Sequence, residues 1–116
     1  MSKEKKIKLN VAERLYLISI LNGYRGALDT LHHIQDALRV FSISKEEQER
    51  IDFKIVPDVN GRASNYVWNA EKAEDVEGVL SAEAIDYIVS AIKKNDDEKM
   101  YGVNDLAVLN LRDKLV

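Results

Sequence analysis

The chain of 116 residues contains no cysteine and a single proline, Pro57. Without cysteine there is no disulfide framework, no thiolate zinc site and no cysteine nucleophile. Long apolar runs are also missing. No stretch approaches the roughly 18 apolar residues of a membrane span. Residues 1–8 carry charge where a signal peptide needs an apolar run. A cytoplasmic protein that enters no membrane is expected. Nor is there an excess of positive charge. Seventeen basic and 20 acidic residues give a net charge of −3, which argues against nucleic acid as a partner of the whole surface. The chain carries no Gly-rich phosphate loop, nucleophile elbow or zinc-protease helix. Asp58-Val-Asn60-Gly61 brings its glycine too early for a calcium loop and lacks the closing glutamate.

What is present describes a globular domain. Apolar residues make up 46% of the chain and charged residues 32%, unlike a disordered segment. At this length roughly two thirds of the unfolded surface can be buried, so no metal or disulfide is needed for folding, and no cofactor is expected.

Asn10 followed by Glu13 forms a capping box that opens a helix over 11–21. Leu15, Tyr16, Leu17, Ile18, Ile20 and Leu21 surround most of its circumference, which implies burial on most sides. Asn22-Gly23 and Gly26 predict a break. A second helix over 25–41 carries Leu28, Leu31, Ile34, Leu38 and Phe41 on one stripe. Ser44 to Glu47 is a capping box for a short third helix. The period then changes to two, with Ile51, Phe53 and Ile55 alternating with Asp52 and Lys54. This reads as a strand that Pro57 ends. Asn60-Gly61 reads as a turn and Tyr66-Val67-Trp68 as the returning strand. Residues 76–80 suggest a third strand, weakened by Gly78. Ser81 caps a helix with Ile85, Ile88, Val89 and Ile92 at helical spacing. Asn104 caps a final helix carrying Leu106, Leu109, Leu111 and Leu115. The fold class expected is α+β: four to five helices packed around a small two- or three-stranded antiparallel sheet. Residues 1–9 are expected to be a flexible basic arm and residues 10–116 a single domain.

Four groups of residues invite a functional reading. Asp29, His32, His33 and Asp36 share one side of the second helix, with i, i+4 pairs that suit a metal or a tuned histidine. The simpler reading is a solvated helix face with weak ion pairs, since a metal site would need a third ligand from elsewhere and the chain has only these two histidines. Arg62 and Trp68, in or beside the hairpin, could stack on a ligand or nucleic acid, or Trp68 could be core. Lys3, Lys5, Lys6 and Lys8 could contact phosphates, or simply solubilise the terminus. Leu17, Ile20, Leu21, Leu106, Leu109 and Leu111 form the expected interface, because the first and last helices carry more apolar surface than one core face can take.

The order of elements resembles small accessory proteins encoded in tailed-phage and prophage genomes. The segments that carry the resemblance are Thr30-Leu31, "NYVWN" at 65–69, and "EKAEDVEGVLSAEAIDYIVSAIKKND" after it. The resemblance implies an accessory phage or prophage product and transfers no site residues. The function expected is therefore that of a non-enzymatic interaction protein that self-associates, most simply as a two-fold dimer. The alternatives are a binding module that captures a ligand or nucleic acid through the 53–68 hairpin and the basic arm, and, third, a metal-dependent enzyme built on the Asp/His face.

Overall fold

The computed structural model describes residues 4–57, 64–99, 101–102 and 105–116. Within them the order is β1 (Lys5–Leu9), α1 (Val11–Asn22), α2 (Leu28–Phe41), α3 (Lys45–Arg50), β2 (Lys54–Pro57), β3 (Ser64–Val67), β4 (Val76–Leu80), α4 (Ala82–Asp97) and α5 (Leu106–Leu115). This is an α+β fold. The chain divides into two units, one formed by residues 1–42 with 75–116 and the other by Ile43–Glu74. The sheet is also two sheets, because β1 pairs antiparallel with β4 while β2 pairs antiparallel with β3.

The first correction falls on the basic arm. From Lys5 onward it is a strand, paired in register from Lys5 opposite Leu80 to Leu9 opposite Val76. Ile7 and Leu9 point into the core while Lys6 and Lys8 stay exposed. That alternation is the two-residue period of a half-buried strand, masked in the sequence by the density of lysine.

In the first unit α1 is the central helix. It contacts α2, α4, α5 and β1, which explains apolar residues around most of its circumference without a second copy of the chain. The capping box is formed as expected: the Asn10 side chain accepts from the Glu13 amide, and the Asn10 amide donates to Glu13. The core joins Leu17 and Leu21 of α1 to Ile34, Ala37 and Phe41 of α2, Ala84, Ile85, Ile88 and Ile92 of α4, and Val108, Leu111 and Leu115 of α5. The buried stripe of α2 is Ile34, Ala37 and Phe41. Leu31 and Leu38 are half-buried and Leu28 is 76% exposed. The stripe is therefore turned from the one expected, and the helix starts three residues later, with Ala27 as its cap.

Two charged side chains lie inside this unit. Arg14, 1% exposed, donates from Nε to the Phe41 carbonyl at 3.0 Å and from Nη2 to the Ser42 carbonyl at 2.7 Å. It thereby satisfies carbonyls at the C-terminal end of α2, where a cation also suits the helix dipole. Glu13, equally buried, meets the ammonium of Lys114 in α5, with Nζ 2.8 Å from each carboxylate oxygen. Buried charge is tolerated in this way only when paired and hydrogen-bonded. Gly78 completes the packing of β4 against α2. A Cβ there would stand 2.3 Å from Val40 Cγ1 and 3.0 Å from Phe41 Cζ.

In the second unit, α3 is capped by Ser44, whose hydroxyl accepts from the Glu47 amide. Ile51 ends the helix and is fully buried. Asp52 follows with φ of 55°, a left-handed residue of the kind that turns a chain out of a helix. The strand expected from Ile51 therefore begins only at Lys54. Pro57 is the last strand residue, opposite Ser64. The Asn60-Gly61 turn and Asn104 lie outside the described residues.

Candidate functional site

The β2–β3 hairpin gathers four exposed large apolar side chains within two short strands. Its register sets Ile55 opposite Tyr66 and Lys54 opposite Val67. Successive strand residues point to opposite faces, so the adjacent pairs Ile55-Val56 and Tyr66-Val67 put apolar groups on both faces. All four are exposed: Ile55 60%, Val56 44%, Tyr66 49% and Val67 50%. On the Ile55–Tyr66 face the aromatic rings stack. Phe53 lies 5.6 Å from Tyr66 with planes 26° apart, and 6.5 Å from Trp68 with planes 19° apart. Trp68, one of the stacked rings, is half-buried.

The strands differ in how they guard their backbone edges. β1 carries Lys5, Lys6 and Lys8, β2 carries Lys54 and Pro57, and β4 carries Glu77. Charge and proline discourage a further strand from pairing. β3, Ser-Asn-Tyr-Val, carries neither. Sequence reasoning singled out Trp68 and missed Ile55, Val56, Tyr66 and Val67 as a surface. Two adjacent apolar residues in each short strand were the available signal. Such a run reads as buried on both faces, and a lone two-stranded sheet cannot bury both.

The other sequence-predicted residues fall as follows. Asp29 and His32 are exposed on α2. His33 turns to α4, with Nδ1 3.7 Å from Glu83 Oε2, and Asp36 pairs with Arg39 at 3.4 Å. Among the described residues no group of three His, Cys, Asp or Glu side chains is arranged to hold a metal. Lys5 Nζ donates to the Leu115 carbonyl at 2.8 Å, and Lys6 pairs with Glu77 at 2.9 Å. That pairing raises the Lys6 pKa and lowers that of Glu77, chiefly through the shared hydrogen bond. Two of the four proposed phosphate contacts are thus engaged within the chain and Lys8 stands on the strand. Lys3 and Arg62 lie outside the described residues. Of the expected interface, Leu17, Leu21 and Leu111 are buried in the chain's own core, and Ile20 packs against it. Only Leu106 and Leu109 remain exposed, because a helix surrounded by its own chain has no apolar surface left to offer.

A second feature lies in the first unit. A cavity of about 190 Å³ opens between the last turn of α4 and the start of α5, lined in part by Ile92, Asp96, Tyr101, Asp105, Leu109 and Arg112. Asp105 is fixed there by two donors, the Gly102 amide at 2.8 Å and the Tyr16 hydroxyl at 2.6 Å. These donors, the amide first, hold its carboxyl below the usual carboxylate range. The same bond to Asp105, with burial, pushes Tyr16 up to about 12.

No protein-family model matches the chain, nor does any curated protein or solved structure. Among the described residues no helix is long and apolar enough to cross a membrane.

Proposed function

We propose that the chain is a non-enzymatic interaction protein that self-associates through the β2–β3 hairpin. The carrying observation is the hairpin's four exposed large apolar residues beside an uncharged strand edge. Edge-to-edge addition of a second β3 would extend each two-stranded sheet to four strands, and two strands alone are marginal in water. In an antiparallel two-fold arrangement with Tyr66 opposite the partner's Tyr66, the Phe53–Tyr66 stack continues across the axis, and aromatic cross-strand pairs stabilise sheets.

Light scattering coupled to gel filtration tests it. At tens of micromolar the parent is expected above its monomer mass of 13.2 kDa. A Tyr66→Lys, Val67→Lys variant is expected at that mass with its helical circular dichroism retained. A parent that elutes as a monomer refutes the proposal.

A further inference from the structure

We propose that the cavity between α4 and α5 binds a small organic cation with an apolar body, such as a primary amine carried on a six-membered ring. The proposal is independent of the hairpin. Its first ground is size. A cavity of about 150 Å³ lined by aliphatic side chains accommodates benzene. This one, at about 190 Å³, leaves space for a ring and one substituent carbon. Its second ground is the lining. Ile92 and Val108 are buried and form an apolar wall, while Leu109 is partly exposed beside them. These surfaces take a hydrocarbon and give nothing to a polar group.

The third ground is charge. Three ionisable side chains of opposite sign line the opening: Asp96, Asp105 and Arg112. Arg112 already faces the carboxylate of Asp113, with Nη2 3.6 Å from Oδ1. Asp105 is kept in its charged form by the Gly102 amide and the Tyr16 hydroxyl. The lining therefore has one more carboxylate than it has cations to balance, and Asp96 is exposed. The two helix ends that meet here, the C-terminal end of α4 and the N-terminal end of α5, carry partial charges of opposite sign and largely cancel. Tyr101 adds an aromatic ring whose face attracts an ammonium. An anionic ligand of the same shape would meet two carboxylates.

The test is an NMR titration of the full chain with benzylamine, toluene and benzoate in parallel. Benzylamine is expected to shift the amide resonances of Tyr101, Gly102, Leu106 and Leu109 saturably, with benzoate leaving them in place. Asp96→Asn, at an exposed position that leaves the fold intact, is expected to weaken benzylamine about tenfold, the equivalent of about 1.4 kcal/mol. Leu106→Trp, which narrows the opening, is expected to weaken benzylamine and toluene alike. Equal binding of toluene and benzylamine, tighter binding of benzoate, an unchanged affinity in Asp96→Asn, or no saturable shift with any of the three would overturn the assignment.

Discussion

The two units of this chain solve the problem of apolar surface in opposite ways. In the first, residues from β1, α1, α2, β4, α4 and α5 meet in one core, where buried Arg14 donates to backbone carbonyls and buried Glu13 pairs with Lys114. In the second, Ile51 is the one fully buried hydrophobic side chain among the described residues, while Ile55, Val56, Tyr66 and Val67 stay at the surface. The first unit also leaves Leu28, Val40, Val79, Leu106, Leu109 and Val116 exposed, but these lie around a core that is closed within the chain. Burial that is incomplete marks where a partner gains most. On the proposed reading the first unit is the scaffold and the second the contact element.

The contrast predicts a gradient of mutational cost. Emptying the first core should cost most: Leu17→Ala or Ile88→Ala is expected to destabilise by about 2–5 kcal/mol in chemical denaturation. A loss under 1 kcal/mol for both would dissolve the distinction between the units. Next comes Arg14→Met, which fills similar volume but leaves the Phe41 and Ser42 carbonyls without its two hydrogen bonds. A loss of about 1–3 kcal/mol is expected from an unsatisfied buried acceptor, with the C-terminal turn of α2 losing amide protection first. Gly78→Ala should cost about 1–3 kcal/mol through overpacking against Phe41. The companion change Val40→Ala, which removes the nearest clashing methyl, should recover part of it.

A smaller effect concerns Tyr16. In the fold it keeps its proton up to about pH 12, whereas the unfolded chain loses it from about pH 10. The Tyr16–Asp105 bond therefore contributes fully below pH 10 and less as pH rises from there to 12. Tyr16→Phe should be less stable than the parent at pH 8, with the gap narrowing across that window. A gap that widens would reverse the assignment of the bond. Smallest of all, Tyr66→Lys should change monomer stability by only about 0.5 kcal/mol, as expected at an exposed site. A large loss would make Tyr66 a core residue of its unit and remove it from the contact surface.

Much of the first unit was legible in the sequence. The Asn10–Glu13 box, the Ser81 cap and the Ile85, Ile88 and Ile92 stripe depend on local spacing, which a single sequence displays. What it hid was long-range. Nothing local shows that Lys5–Leu9 pairs with Val76–Leu80 across more than sixty residues, so a strand read as a tail and one sheet was expected where there are two. The same blindness put buried residues into the expected interface. Leu17 and Leu21 look surplus until α2, α4 and α5 are seen to enclose them. For the candidate site the residues around Trp68 were located, but the exposure of Tyr66 and its neighbours depends on what fails to cover them, which local pattern does not encode.

The central claim, that the second unit's hairpin is where the chain meets another copy of itself, is most directly tested by hydrogen exchange of the Ser64–Val67 amides at two protein concentrations. On this account their protection rises between low and high micromolar protein, while that of β1 and β4 amides stays constant. Identical β3 protection at both concentrations, with a solution mass of 13.2 kDa throughout, would contradict it.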